Sequence, residues 1–392
     1  MADYRRIDAA DRGTYRRFTR YGFAAERGPP NPDDDQPRET GLFDRRGYYE
    51  DGHLVSGCKR YAFPAVVRDG VRTVGGLGAL ATPPEHRGQG YARSLCRNVC
   101  REYASEGVGV VALWPFSVPF YRQMGWALAN DSYELACPPS ALPDHDTDGS
   151  FRPMDADDWE RFRPVEAATG EGVTLSMRRS EAWWRERTLT NWTGGTEPFV
   201  YGYERDGSVA GYLVYTVSDD DGHERTLSVD AFGYADREAH RSLLAFLGRH
   251  GPQIDRVELT YPTHTRPLDT VADPKAVTCE RVPGPMARLT GLDPLSDVDW
   301  SVLDGPMTLA VSDPLLDATD GLVRVTEDGL ERTTEGTADA ETDIGTLTQL
   351  YLGRYDPATA ERFGGLDIED DSARDALATV FPERPVCLRE FF

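Results

Sequence analysis

Apolar residues repeat along the first 130 residues with different periods, and each period predicts one kind of element. Between Tyr91 and Glu106 they recur every three or four positions, which predicts a helix with one buried face. The run from Val108 to Trp114 is apolar throughout and predicts a central strand. Before these two elements we predict a strand at 4–7, a helix at Asp8 to Phe23, a loop at Ala24 to Glu39, and strands at His53 to Cys58, Tyr61 to Val67 and Val71 to Leu80.

A similar series of elements follows the break at Cys137-Pro138-Pro139. It comprises a strand beginning at Phe151, strands Phe199 to Glu204, Val209 to Val217 and Thr226 to Phe232, turns at Arg205 to Gly207 and Asp219 to Gly222, and a helix at Asp236 to Leu247. From about Pro285 the segments are shorter: Met307 to Val311, Gly321 to Thr326, helices Ile344 to Leu352 and Asp356 to Phe363, and a last element Ala376 to Phe381. We therefore predict three domains, at residues 1–140, 141–284 and 285–392, in a mixed α/β and α+β chain.

The length and the hydrophobic content predict a globular protein. The chain has 392 residues, of which 39% are hydrophobic, enough to bury several cores. No apolar run approaches the length of a membrane span, and the first residues lack the apolar centre of a signal peptide. We therefore expect a cytoplasmic protein with no membrane partner.

The charge balance argues against nucleic acid as a partner. Acidic residues outnumber basic ones by 66 to 43, for a formal charge of −23. Lys59 and Lys275 are the two lysines, and all other basic residues are arginines. This composition resembles the proteins of halophilic archaea, in which carboxylates hold water and cations. At molar salt the Debye length is about 3 Å, so the surface charge is screened from distant ligands. The acidic composition then reflects a saline habitat more than attraction of a cationic substrate.

The cysteines predict neither a metal site nor a disulfide framework. They form no CxxC pair and have no metal-type spacing with the seven histidines. Cys96 and Cys100 lie four residues apart on a predicted helix, which favours two buried thiols. The remaining cysteines are Cys58, Cys137, Cys279 and Cys387.

The segment from Leu80 to Arg93 carries the clearest functional pattern of the chain. A strand ends at Leu80-Ala81-Thr82, a glycine-containing loop follows, and the predicted helix begins at Tyr91. This order directs unpaired backbone N–H groups and the positive end of the helix toward one small volume, which favours an anion such as a pyrophosphate. The loop reads Arg87-Gly88-Gln89-Gly90-Tyr91-Ala92.

Two other phosphate motifs and a ligand-free helix start compete with this interpretation. Gly76-Leu77-Gly78-Ala79-Leu80-Ala81 fits the dinucleotide fingerprint formally, but Pro83-Pro84 rather than a helix follows it. A Walker A loop is excluded because neither lysine follows a glycine in that pattern. A helix start with glycines and no ligand is common, and only the residues farther along the chain weigh against it.

The loop and a second motif together resemble the GCN5-related N-acetyltransferases (GNATs). The loop has the spacing of that family's acyl-CoA loop. Phe116 to Trp126 matches the family's short helix Phe-Tyr-x-x-x-Gly-aromatic after the fifth strand, here Phe120-Tyr121-Arg122-Gln123-Met124-Gly125-Trp126. The second domain has no glycine between Gly233 and Gly248, and so resembles a degenerate copy without the loop.

The whole layout resembles the enhanced intracellular survival family of acetyltransferases. That family combines a GNAT domain, a degenerate GNAT domain and a sterol-carrier-like domain. The resemblance implies transfer of an acetyl group from acetyl-CoA directly to a primary amine, without a metal, in a homo-oligomer that is a hexamer. It implies Tyr121 as general acid and the carboxylate of Phe392 as general base. It assigns acetyl-CoA to Leu80, Ala81, Thr82, Gly88, Gln89, Gly90, Tyr91, Ala92 and Arg93, with Phe116 and Ser117 beside the pantetheine arm.

Other functions stay open at this point. A packing tyrosine at Tyr121 and a frayed chain end at Phe392 are the structural alternatives for the two catalytic residues. Nucleophilic catalysis lacks a Ser-His-Asp arrangement and is the weaker enzymatic alternative. A non-enzymatic carrier or scaffold, with an apolar ligand in the third domain, is the alternative from another class. The acceptor is a small-molecule amine or a protein amine, and nothing in the sequence separates the two.

Overall fold

The computed structural model describes residues 3–31, 40–193, 195–219, 224–327 and 329–392. Half of the predicted loop at 24–39 and most of the predicted turn at 219–222 lie outside these residues. The described chain forms two compact units, one of residues 1–129 with 285–392 and one of residues 130–284. The first division therefore lies eleven residues before the predicted boundary at 140, because strand Asp131–Cys137 pairs with strands of the second unit.

The first unit is built on a seven-stranded sheet. Its order is β1-β2-β3-β4-β5-β14-β6, with β3 and β4 joined by a hairpin turn at Arg68-Asp69-Gly70. Its strands are β1 (Asp3–Arg6), β2 (Phe43–Glu50), β3 (His53–Val67), β4 (Gly70–Ala81), β5 (Val110–Leu113), β6 (Ala127–Leu128) and β14 (Met286–Leu289). Its helices are α1 (Arg12–Phe23), α2 (Tyr91–Ser105) and α3 (Val118–Arg122).

Two sequence predictions for this sheet were wrong. The predicted strands His53 to Cys58 and Tyr61 to Val67 are one strand, because Lys59 and Arg60 continue the pleat instead of making a turn. Arg60 is buried and pairs with Glu102 and Glu106 at 2.8 and 2.6 Å. Strand β2 was not predicted, since its sequence FDRRGYYE has no apolar alternation.

Glycines on β4 let large side chains approach both faces of the sheet. A Cβ on Gly75 would lie 2.8 Å from the Tyr103 ring of α2, and a Cβ on Gly76 would lie 2.7 Å from the Phe392 ring. Helix α2 therefore covers one face, and the C-terminal residue lies on the other. In the glycine run that fits the dinucleotide fingerprint, Gly76 and Gly78 thus serve close packing against Phe392.

The second unit repeats the architecture around its own sheet, in the order β13-β7-β12-β11-β10-β9-β8. The predicted strands and the predicted helix are confirmed to within a few residues. The strands are β7 (Asp131–Cys137), β8 (Ser150–Pro153), β9 (Phe199–Arg205), β10 (Ser208–Asp219), β11 (Arg225–Tyr234), β12 (Arg256–Pro262) and β13 (Thr278–Pro283). The helices are α4 (Trp159–Thr169), α5 (Glu181–Trp183) and α6 (Arg237–Gly248), and a π-helical turn spans Trp184–Thr188.

The part of the chain from β15 onward, here called the third segment, also belongs to the first unit. It has a five-stranded sheet of its own, in the order β17-β16-β15-β18-β19. The predicted α+β elements are present. The strands are β15 (Met307–Ser312), β16 (Gly321–Thr326), β17 (Gly329–Thr333), β18 (Ala340–Asp343) and β19 (Leu366–Ile368). The helices are α7 (Ile344–Leu352), α8 (Pro357–Phe363) and α9 (Asp371–Val380).

A fully buried ion pair connects this segment to the rest of the first unit. Arg288 on β14 binds Asp313 at 2.6 Å, and both side chains have no exposed surface. Arg288 also donates to the carbonyl oxygens of Met124 and Leu289, at 2.5 and 3.1 Å. The Asp313 carboxylate accepts from the backbone N–H groups of Leu315 and Leu316 as well. The pair therefore fixes Met124, which follows α3, and Asp313, which follows β15, against the same strand β14. Helix α3 carries Tyr121.

Within the described residues, none of the helices has both the length and the apolar character that a bilayer crossing requires. The same residues contain no cluster of three or more His, Cys, Asp or Glu side chains that could bind a metal ion. All six cysteines are free thiols.

Candidate active site

The loop before α2 has the geometry of an anion cradle. Gly88 and Gly90 have φ angles of 75° and 79°, in the left-handed region that favours glycine. A Cβ at either position would meet nothing within 4 Å, so the loop borders open space. Gly90 is the N-cap of α2, and the N–H groups of the first helical turn, from Tyr91 to Arg93, have no acceptor inside the helix. The exposed backbone of the loop fits a pyrophosphate.

Side chains of the loop stabilise this shape. Arg87 Nε donates to the carbonyl oxygen of Thr82 at 3.0 Å, which closes the loop onto the end of β4. The Tyr91 hydroxyl donates to Glu50 of β2, and it lies 3.0 Å from Gln89 Oε1. The cradle is therefore held by its own residues and by one carboxylate from a neighbouring strand.

The start of α2 is fixed from its other side. Arg93 donates to the carbonyl oxygens of Gln123 and Pro314, with the Gln123 distance 3.3 Å. Its guanidinium thus holds the segment after α3, while its backbone N–H belongs to the open first turn. Ala92 lies half-buried beside it.

Strands β4 and β5 separate beside the cradle. They pair only at Gly75 with Val111 and at Gly76 with Ala112. Farther along β4, Ala79 has a φ of 49° and forms a bulge where the register with β3 shifts. Leu80 and Ala81 are buried, and Thr82 is half-buried at the end of the strand, with its hydroxyl 2.8 Å from that of Ser56. Leu80 of β4 and Leu113 of β5 belong to the same buried cluster as Tyr121.

A charged side chain placed in the cradle is expected to weaken the binding of acetyl-CoA. We predict that Gly90→Asp weakens binding at least about tenfold, a cost of ~1.4 kcal/mol, because the carboxylate repels a phosphate at the helix N-terminus. Gly107→Asp is the matched control, since Gly107 has a φ of 75°, is equally open and lies at the other end of α2. Calorimetric titration measures both. Equal affinities for the two variants would contradict the assignment.

Tyr121 lies on α3, in a cluster of aromatic side chains. It is 3% exposed, and its ring centroid lies 5.4, 5.1 and 6.2 Å from those of Phe116, Phe120 and Trp126. Burial raises the pKa of Tyr121 well above the ordinary value of a tyrosine. The hydroxyl therefore keeps its proton near neutral pH.

The residues predicted to flank the pantetheine arm lie at the start of α3. The Ser117 hydroxyl caps the helix by accepting from the N–H of Phe120 at 3.4 Å. The Phe116 side chain is 63% exposed, although its ring contacts Tyr121. This exposed aromatic ring beside Tyr121 is available to a ligand.

The chain end lies against strand β4. The Phe392 side chain is 7% exposed, with its ring 5.1 and 5.4 Å from those of Tyr61 and Phe63. A Cβ on Gly78 would lie 3.0 Å from Phe392 O and 3.1 Å from Phe392 C, so the terminal carboxyl group lies against β4. Trp114 Nε1 donates to the carbonyl oxygen of Glu390 at 2.8 Å, and the Trp114 ring lies 5.6 Å from that of Phe391.

The structure thus places Tyr121 in one buried cluster with Leu80 of β4, and it places the chain end against Gly78 of the same strand. It adds three residues that were not assigned from the sequence. Gly76 and Gly78 make room for the chain end, and Trp114 binds it. The run Gly75-Gly76-Leu77-Gly78 within a strand was the available signal, since glycine in a strand marks a close approach. Trp114 gave no signal beyond its place at the end of β5.

The corresponding turn of the second unit is closed. Asp236 caps α6 by accepting from the N–H of Ala239 at 2.9 Å, and the same carboxylate pairs with Arg205. Hydrogen bonding to Arg205 lowers the pKa of Asp236. An internal anion therefore occupies the helix start, and we predict that this unit binds no CoA.

Comparisons with known proteins agree with this fold. Residues 3–129 and 175–289 match two families, each described as an acetyltransferase (GNAT) domain, and residues 294–389 match a sterol carrier protein domain. No curated protein sequence matches the chain at a significant level.

Solved structures are similar over the whole chain. A probable N-acyltransferase from Enterococcus faecalis has a TM-score of 0.85 at 20% identity, and a GCN5-related N-acetyltransferase from Anabaena variabilis has a TM-score of 0.81 at 18% identity. Eis1 from Mycobacterium abscessus has a TM-score of 0.77 at 23% identity. Each comparison covers 100% of both chains. The chain therefore consists of two acetyltransferase (GNAT) domains followed by a sterol-carrier-like domain.

Proposed function

We propose that the protein is an N-acetyltransferase that transfers an acetyl group from acetyl-CoA directly to a primary amine. The observation that carries the proposal is the arrangement around β4: the open cradle follows the strand, Tyr121 packs in one buried cluster with Leu80, and the chain end lies against Gly78. In this proposal the thioester and the amine are held in one place beside β4, which removes most of the entropic cost of their meeting. The likeness to Eis1 supports placing the chain with the enhanced intracellular survival family.

In this proposal the backbone of the loop binds the pyrophosphate of acetyl-CoA. The N–H groups from Gly88 to Arg93 supply the donors, and Leu80 to Thr82 line the pantetheine arm together with Phe116 and Ser117. The open space at Gly88 and Gly90 supports this fit, because a bulky phosphate needs a close approach to the backbone.

The carboxylate of Phe392 is the proposed general base. The Phe392 ring anchors the chain end between Tyr61 and Phe63, and the hydrogen bond from Trp114 fixes the residues before it. A carboxylate held against β4 can accept a proton from an amine directly or through one water molecule. The amine nitrogen then attacks the thioester carbonyl, and Tyr121 protonates the departing sulfur.

Replacing Tyr121 by Phe is expected to lower turnover about a hundredfold, because the general acid is lost while the aromatic packing stays. Affinity for acetyl-CoA should be almost unchanged, since the hydroxyl is not part of the cradle. Turnover is measured by release of free CoA with a saturating primary amine, and affinity by calorimetry. Unchanged turnover would remove Tyr121 from the acid role.

A cysteine nucleophile has no support in this geometry. Cys58, Cys96 and Cys100 are fully buried, and burial raises the pKa of each thiol. The pKa of Cys100 is raised to about 11. A reactive cysteine requires the opposite, a lowered pKa and access to the substrate.

The carrier alternative depends on an apolar ligand in the sterol-carrier-like domain. A cavity of about 410 Å³ in that domain is lined by Asp304, Asp339, Asp370 and Asp375 as well as by apolar residues. Such a lining suits a lipid poorly. The hexamer, the cytoplasmic location and the saline habitat stay predictions from the sequence.

One experiment tests the proposed function. Acetyl-CoA is titrated into the full chain at molar KCl, and free CoA is then assayed with a panel of primary amines. We expect one equivalent of acetyl-CoA to bind and at least one amine to be acetylated. A folded chain that binds no acetyl-CoA would overturn the proposal and favour a carrier or scaffold.

A further inference from the structure

One of the two lysines lies beside the terminal carboxyl group. Lys59 on β3 is the register partner of Gly78 on β4, the residue against which the Phe392 carboxyl group lies. Cβ atoms of directly opposed residues are about 4.5–5.5 Å apart and point to the same face. The Lys59 side chain therefore starts on the face that carries the chain end, within one side-chain length of the carboxyl group.

The Lys59 ammonium lies on the ring of Phe43, next to the aromatic residues that surround Phe392. Its Nζ lies 4.2 Å from the ring centroid of Phe43, and the Phe43 ring lies 5.4 Å from that of Tyr61. The Tyr61 ring in turn contacts Phe392. Lysine carries its ammonium on a flexible four-carbon stem, so the same side chain can also reach toward Gly78.

We propose that Lys59 is a self-acetylation site, at which the chain's own amine takes the place of the external acceptor. This inference rests on the proposed function. The Lys59 nitrogen forms a bond to the carbonyl carbon of the acetyl-CoA thioester, and the carbon–sulfur bond breaks. The ammonium loses two protons overall: one reaches the CoA sulfur through Tyr121, and the other passes to solvent through the Phe392 carboxylate. The products are Nε-acetyl-Lys59 and CoA.

Lys59 is one of only two lysine side chains in the sequence, and therefore one of two side chains with a primary amine. Arginine cannot serve as an acceptor because its guanidinium stays protonated, and nearly all the basic residues are arginines. Arg45, the register partner of Lys59 on β2, illustrates this, since it provides the same charge without a usable amine. Lys59 therefore places a primary amine at a position where arginine would provide charge alone.

Lys275 is a built-in reference for spontaneous acetylation. It is exposed and belongs to the second unit, whereas Lys59 is half-buried. Chemical acetylation by acetyl-CoA in solution would modify the exposed Lys275 first. Acetylation at the active site would modify Lys59 first.

The test incubates the full chain with acetyl-CoA and no other amine, and follows both lysines by peptide mass spectrometry. We expect Lys59 to be acetylated at least about tenfold faster than Lys275, at a rate per chain that does not change with protein concentration. Tyr121→Phe should slow acetylation of Lys59 and leave that of Lys275 unchanged. Lys59→Arg should abolish the modification of that peptide, and Lys275→Arg should leave Lys59 acetylation intact.

Faster or equal acetylation of Lys275 would overturn the inference, and so would an unmodified Lys59. A parallel assay with an added primary amine separates this failure from failure of the proposed function. If the added amine is acetylated and Lys59 is not, the self-acetylation site is wrong and the acetyltransferase proposal stands. If neither is acetylated, both fail. A rate that rises with protein concentration would contradict transfer within one chain.

Discussion

Deleting Phe391 and Phe392 is expected to lower turnover by about 10²–10⁴-fold, the usual contribution of a positioned general base. The deletion removes the terminal carboxylate from its place against Gly78, and a new chain end at Glu390 cannot reach the same position with the same anchoring ring. Affinity for acetyl-CoA should change little, because the chain end lies against Gly76 and Gly78 of β4 and not at Gly88 or Gly90 of the cradle. Turnover and calorimetric affinity are measured on the same preparation.

A variant of full length separates loss of the carboxylate from damage by truncation. In Gly78→Ala the new methyl group would lie 3.0 Å from Phe392 O and from the Tyr61 ring, so the chain end must shift. Gly70→Ala is the matched control, since a Cβ on Gly70 of the same strand meets nothing within 4 Å. We expect Gly78→Ala to lose turnover and Gly70→Ala to keep it. Normal turnover of the truncated chain would exclude the terminal carboxylate as the base.

Replacing Arg288 by Met is expected to destabilise the first unit by about 3–5 kcal/mol, because it leaves the Asp313 carboxylate buried and without its cation. Both partners are fully buried, and Arg288 also holds the carbonyl oxygen of Met124. Denaturant unfolding, followed by signals assigned separately to the two units, measures the loss. The second unit should unfold as in the unmodified chain.

The double variant Arg288→Met, Asp313→Leu is the control for this prediction. It removes both charges, and replacing a buried pair by apolar residues is often nearly neutral or stabilising. Since the buried N–H groups of Leu315 and Leu316 lose their acceptor in the double variant, we expect it to recover part of the stability that the single variant loses. A single variant as stable as the unmodified chain would mean that the remaining donors to Asp313, the N–H groups of Leu315 and Leu316 and the Thr319 hydroxyl, satisfy its charge by themselves.

Local patterns in the sequence were sufficient for most elements. The spacing of apolar residues predicted α2 and the meander of the second unit to within a few residues, and it predicted α7 at its observed bounds. Strand β2 was missed because its charged residues do not alternate with apolar ones. The continuous course of β3 was missed because Lys59 and Arg60 resemble a turn until Glu102 and Glu106 are seen to pair with Arg60.

The division into units could not be read from the sequence. Strand β7 follows β6 directly, yet it pairs with β12 and β13, while β14 pairs with β5 and β6. Which sheet accepts a strand depends on the edges and gaps that the rest of the fold leaves open. Hydrophobic periodicity describes the faces of a strand and carries no information about its neighbours.

By itself the sequence determined the order of elements, the glycine loop before α2 and the tyrosine of α3, because each depends on residues close together in the chain. The tertiary structure decided which residues meet. It placed Phe392 against Gly78, more than 300 residues earlier, and it brought Lys59 to the same face. Contacts between distant residues are set by the packing of whole sheets, since side chains of many elements must fill one volume without gaps.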